Sequence, residues 1–129
     1  MNKAIEAMGV LQDLGLIVDN MPGIKISTYT QVDYSMINIK YNENEVVIFD
    51  LKSAVGEGMK ELHNVKNSFK APFVIVITNL YNDDFKQRCF SLGADKFFNK
   101  NDEIKEFGIV LNNQLYKLSN NKFDHARFV

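Results

Sequence analysis

Three apolar runs in this 129-residue chain each lead to a side chain able to do chemistry. Val46, Val47, Ile48 and Phe49 run into Asp50, residues 73–77 (FVIVI) run into Thr78, and Phe97 and Phe98 lead through Asn99 to Lys100. Short β-branched and aromatic runs of this kind read as strands buried on both faces. If the three strands lie side by side and parallel, a carboxylate, a hydroxyl and an ammonium converge at one sheet edge, where open α/β folds place their ligands. That set suits acceptance of a phosphoryl group, with Asp50 as nucleophile and Lys100 and Thr78 binding the oxygens of the transferred group. Each residue also has an ordinary reading: Asp50 caps a turn, Lys100 pairs with it, and Thr78 fills a strand end. Their joint order favours the chemical reading.

Helices must carry the chain between such strands. Met59, Leu62, Val65 and Phe69 recur at helical spacing after Asp50, and Ala71 and Pro72 end that helix. After Thr78, Asn82 or Asp83 can cap a helix with Phe85, Cys89 and Leu92 inward, and Gly93 is placed to close it. Ile104, Phe107, Leu111, Leu115 and Leu118 give a last helix from residue 102 to about 119, and residues 120–129 form a tail with no assigned role. Upstream, Ala4, Ala7, Met8, Leu11, Leu14 and Val18 predict an amphipathic helix over residues 2–20, ended by Pro22 and Gly23. Residues 24–30 (IKISTYT) alternate as a strand. Residues 31–44 fit two patterns, a short helix carrying Val32, Ser35, Met36 and Ile39 or an alternating strand. The helix is preferred because it lets the strand at Val46 run parallel to the one before it. The expected fold is α/β, a parallel sheet with helices on both faces.

Composition sets wide bounds. With 15 basic and 16 acidic residues, a net charge of -1 and 46% hydrophobic content, the chain is an ordinary globular domain and advertises neither nucleic acid nor membrane. Cys89 is a lone cysteine, which excludes an internal disulfide and suits a reducing compartment. Its place on the inner side of a helix predicts a packed thiol. No apolar run approaches the roughly 20 residues of a membrane span, and the N-terminus lacks the pattern of a signal peptide, so cytoplasm is expected. His63 and His125 have no Cys or His at ligand spacing, which argues against zinc.

With these residues in view, the chain resembles the receiver (CheY-like, flavodoxin-like) domains of bacterial response regulators, from about Ile24 to Leu118. VVIFDL is similar to the strand bearing the phospho-accepting Asp, with Gly58 at the family's glycine in the loop entering the next helix. APFVIVITN is similar to the strand with the switch Ser/Thr, here Thr78. GADKFFNK is similar to the Gly-Ala-Asp stretch followed by an aromatic and the conserved Lys, which implies Phe97 as switch aromatic and Lys100 as phosphate partner. Ser35 and Met36 sit where the second helix of the family carries an Ala-Leu pair. The resemblance implies a receiver-like domain over residues 1–119, Mg²⁺ as cofactor if Asp50 is phosphorylated, and a histidine kinase or other signalling protein as partner.

The sequence also departs from the family's pattern. Mg²⁺ is held there by an acidic pair at the end of the first strand, by the phospho-accepting Asp and by a backbone carbonyl two residues later, which implies Asp50 and the carbonyl of Lys52. Aligned backwards from Asp50, the pair falls on Ile5 and Glu6, and only Glu6 is a ligand type. The first strand is therefore expected to be missing or replaced, and the Val46 strand to pair directly with the Ile24 strand or with a strand borrowed from residues 126–129 of its own chain or a partner's, the latter making a homodimer. Ser53-Ala54 replace the usual Met-Pro, and Asn79 and Asn101 replace a small residue and a Pro. Two functions follow: a phosphorylatable receiver of a two-component system, or a pseudo-receiver that binds or dimerises without phosphotransfer. A phosphatase with an Asp nucleophile is disfavoured because Lys52 stands where its second Asp belongs. A flavin-type phosphate site is disfavoured because no Gly-, Ser- or Thr-rich loop follows a strand. The chain is accordingly not expected to be an enzyme.

Overall fold

Apolar runs and alternating stretches of the chain become five strands of one sheet. The computed structural model describes residues 24–41, 44–68, 70–80 and 82–127. Its strands are β1 (Ile24–Thr30), β2 (Tyr34–Tyr41), β3 (Asn44–Leu51), β4 (Phe73–Thr78) and β5 (Lys96–Asn99). The helices among the described residues are α1 (Glu57–Lys66), α2 (Asp83–Leu92) and α3 (Ile104–Arg127). The sheet order is β1-β2-β3-β4-β5. Strands β3, β4 and β5 are mutually parallel, whereas β2 is antiparallel to both β1 and β3. The fold is therefore α/β with a mixed sheet.

That mixture corrects two expectations. The described part of residues 31–44 forms no helix: β2 occupies most of it, and Ser35 and Met36 lie within that strand. Ile37 and Ile39 explain why. Two residues apart, they point to the same side of a strand but to nearly opposite sides of a helix, and both are buried in one core layer. The second correction concerns the sheet, which is not all parallel. Strand β1 does not pair with β3, because β2 lies between them. Gln31 N–H donates to the Tyr34 carbonyl at 2.8 Å, closing a two-residue turn at Val32 and Asp33 that can only reverse the chain.

The C-terminus departs from expectation as well. Helix α3 continues through residues 120–127, so Ala126 and Arg127 supply no strand, and β2 already fills the position beside β3. The helix expected over residues 2–20, with Glu6 in it, lies outside the described residues. No described helix is long and apolar enough to cross a membrane.

Strand alternation divides the core into two layers. Val46, Ile48, Ile75, Ile77 and Phe98 pack with Phe107, Leu111 and Leu115 of α3 on one face. Val47, Phe49, Val74, Val76 and Phe97 pack with Met59 and Leu62 of α1 and Phe85 and Cys89 of α2 on the other. Helices thus cover both faces.

The loops that hold these layers are tied by specific side chains. Asn82 caps α2, its Oδ1 accepting from the N–H groups of Asp84 at 2.8 Å and Phe85 at 3.3 Å. Gly93 ends α2 at φ 117°, where a Cβ would lie 2.6 Å from Lys66 Cβ, so only glycine fits. Two residues on, Asp95 Oδ2 accepts from Val74 N–H at 2.8 Å and from Lys66 Nζ at 2.7 Å, while Lys66 also donates to the Pro72 carbonyl at 3.0 Å. This one carboxylate joins the start of β4, the end of α1 and the start of β5. Replacing it strips a partner from the buried Val74 backbone. Asp95→Ala is expected to destabilise the fold by about 1–3 kcal/mol in denaturant unfolding, and Asp95→Asn by less, since the amide oxygen still accepts.

Candidate functional site

Asp50 stands one residue before the end of β3, and its register partner on β4 is Ile77. It therefore shares the α3 face of the sheet with Ile48 and Ile77. Lys100 follows β5 directly. Its N–H donates to the Thr78 carbonyl at 2.8 Å, and the buried Asn99 beside it braces the turn by accepting from Asn101 N–H at 2.8 Å. Glu103 reaches back, its Oε1 accepting from Asn99 N–H at 3.0 Å. So held, Lys100 places Nζ 2.5 Å from Asp50 Oδ2, with side chains 26% and 22% exposed. A partly buried pair of this kind contributes on the order of 1 kcal/mol, because desolvation offsets much of the attraction. The structure brings together these two members of the expected trio.

Thr78 is held elsewhere. Alternation puts it with Val74 and Val76 on the α1 and α2 face, and it is fully buried. Its hydroxyl donates to the Leu51 carbonyl at 2.7 Å and accepts from Leu80 N–H at 3.0 Å. The single hydroxyl proton is thus used in the β3–β4 seam and not on Asp50. Phe97 lies on that same face, nearly fully buried. It meets Phe85 edge-on at 5.9 Å between centroids, with Phe90 at 6.4 Å and Lys86 Nζ 5.9 Å over its ring.

Two residues at this edge were hidden by reading residues 31–44 as a helix. Ser35 is the register partner of Asp50 on β2 and stands beside it on the α3 face. Asp33, in the β1–β2 turn, accepts from Lys52 N–H through its backbone carbonyl at 2.8 Å and from Gly58 N–H through Oδ2 at 3.3 Å. It thereby caps α1 from another element, where Gly56 at the N-cap has no side chain to offer. A Cβ on Gly58 would come within 2.9 Å of both Tyr34 Cβ and Leu51 Cδ2, which accounts for glycine at this close approach. The signal for both missed residues was the alternation of Ile37 and Ile39 across a strand that starts just after a short polar turn.

Mg²⁺ takes six oxygens in near-octahedral geometry. Beside Asp50 the described edge offers the Ser35 hydroxyl, and the Lys52 carbonyl lies two residues beyond it. The Lys100 ammonium already occupies Asp50 Oδ2. Among the described residues no three His, Cys, Asp or Glu side chains group to hold a metal, so this donor set does not by itself fit Mg²⁺. Glu6 lies outside the described residues.

The same sheet edge carries exposed apolar side chains. Val32 at the β1–β2 turn is 96% exposed, Val55 and Leu80 are exposed on the loops that follow β3 and β4, and Ile104 is exposed at the start of α3. All four sit at the Asp50 edge. Tyr34 lies just beneath, where burial pushes its phenol up to about 12, with Glu61 and Tyr29 adding to the shift. Cys89 is fully buried between α2 and the sheet, and burial raises its thiol to about 11, which leaves it inert near neutral pH.

The chain matches no family model, no curated protein and no solved structure. Thr78→Val is expected to cost about 1–3 kcal/mol in chemical denaturation, because it leaves the Leu51 carbonyl and Leu80 N–H without their partner, while Thr78→Ser stays near the parent. A hydroxyl free to swing toward Asp50 would instead tolerate valine.

Proposed function

We propose that this chain is a receiver-like signalling module that works by protein–protein contact at its Asp50 edge, without phosphotransfer. The observation that carries this reading is the antiparallel β2, which stands Ser35 beside Asp50 on the flank where a receiver brings its metal-binding acids. The βαβαβ run from β3 through β5 supports a flavodoxin-like reading of that half. Val32, Val55, Leu80 and Ile104 are exposed at the same edge as Asp50 and Lys100, and exposed apolar side chains beside an ion pair suit a protein partner. The partner class is another signalling protein, and the compartment we assign is the cytoplasm.

The Asp50–Lys100 pair itself favours a second reading, a phosphorylatable receiver served by a histidine kinase. Lys100 would then release Asp50 and bind the phosphoryl oxygens. That reading needs Mg²⁺ and carboxylates beyond Asp50, for which Glu6 is the candidate.

Incubation of the full chain with Mg²⁺ and a small-molecule phosphodonor, read by intact mass, separates the two. We expect no phosphoryl adduct on the parent chain or on Asp50→Ala. An adduct on the parent that disappears in Asp50→Ala would overturn the first reading in favour of the second.

A further inference from the structure

Strand β1 ends the sheet: it has β2 on one side and, among the described residues, no strand on the other. The hairpin fixes which of its backbone groups face the open side. Gln31 N–H donates to the Tyr34 carbonyl, so that pair faces inward, and the register with β2 runs unbroken from Thr30 opposite Ser35 to Ile24 opposite Tyr41. Alternation then turns the backbone groups of Lys25, Ser27 and Tyr29 toward β2, and the N–H and C=O groups of Ile24, Ile26 and Thr28 away from it. No described backbone hydrogen bond reaches that outer row. Natural sheets blunt such an edge with a bulge, a proline, several charges or a short strand, because the row is a template for another strand. Strand β1 has seven residues, no break in register, no proline, and Lys25 as its one charged residue. The opposite edge is guarded. Strand β5 has four residues, and Glu103 Oε1 takes the Asn99 N–H at its end.

Backbone chemistry makes the occupant a strand, and the contrast between the two edges selects its source. A second copy brings its own β1 row, and with β5 blunted the joined sheet has no open edge left among the described strands, so association closes at two. The strand is centred on Ser27. A twofold axis at that residue overlaps the two strands over their full length and sets Ile26 of each copy opposite Thr28 of the other, outer row against outer row. Lys25 then falls opposite Tyr29, so no like charges face each other. A parallel ladder has no such symmetry, because its hydrogen bonds slant along the strands. We propose that β1 is a dimerisation edge and that its partner is the β1 strand of a second copy of this chain, paired antiparallel to join the two sheets into one.

The outer row of β1 is separated from Asp50 by β2, and the proposal does not depend on the reading given to that residue. The test is sedimentation equilibrium of the full chain from micromolar to submillimolar concentration, with amide exchange resolved by residue over the same range. A dimer is expected. In it the Ile26 and Thr28 amides exchange slowly and lose that protection on dilution, whereas the Ser27 amide, bonded to β2, is unchanged. Thr28→Pro removes one outer N–H from each copy and none from the ladder to β2, and is expected to weaken self-association by roughly tenfold or more. Orientation is read by oxidising Ser27→Cys chains. Facing residues at the axis form a non-hydrogen-bonded pair with Cα atoms about 4.5 Å apart, within disulfide reach, so covalent dimers are expected. The buried Cys89 leaves the parent chain without them. A monomeric parent would overturn the proposal and leave the edge to another segment of the same chain or to a different protein. So would a dimer whose Ile26 and Thr28 amides exchange as freely as in the monomer, a dimer that Thr28→Pro leaves unchanged, or one in which Ser27→Cys forms no cross-link.

Discussion

Strand β3 is buried from Val46 to Phe49, so the hydrogen-bonding groups along both of its edges must be met by other strands. On one edge the solution is a parallel neighbour, β4, reached through α1. On the other it is β2, which the chain delivers by a two-residue turn and an antiparallel return. Much of what is particular to this protein follows from that second choice. It sets Ser35 opposite Asp50, puts Val32 at the tip of the turn, and leaves Asp33 where it can cap α1 and hold Lys52 N–H.

The same constraint distributes the chemistry. Asp50 and Lys100 share the α3 face, while Thr78 and Phe97 share the face of α1 and α2, so the sheet sets Thr78 apart from the two residues it was expected to join. Thr78 has become part of the β3–β4 seam, joining the Leu51 carbonyl to the Leu80 N–H. The edge carries the Asp50–Lys100 ion pair, with Val32, Val55, Leu80 and Ile104 among its exposed side chains.

The parts legible from sequence are those whose cause is local. Asn82 caps α2 because its side chain reaches N–H groups two and three residues on, and Gly93 ends that helix because only glycine tolerates its φ. The apolar runs at Val46 and Phe73 needed no tertiary information to be read as buried strands, and the meeting of Asp50 with Lys100 follows once those strands are parallel. Residues 31–44 were not legible, because their apolar positions fit both a helical and an alternating pattern. The deciding fact was the vacant edge of β3, which is a property of the sheet. Asp33 was invisible for a related reason, since the helix it caps lies more than twenty residues away and is met only through β2. The partners of Thr78 were not legible, because a strand-end hydroxyl reads the same whether it faces the site or the seam.

The central claim is the pairing of β2 with β3, and the most direct measurement is the pattern of nuclear Overhauser contacts between Tyr34–Tyr41 and Asn44–Leu51. Antiparallel strands bring facing Hα atoms close together, which neither a helix nor a parallel pair does. The account predicts strong Hα–Hα contacts across β2 and β3, in the register that sets Ser35 against Asp50 and Ile37 against Ile48. Sequential amide contacts of a helix over residues 31–44, or contacts showing β1 paired directly with β3, would contradict it.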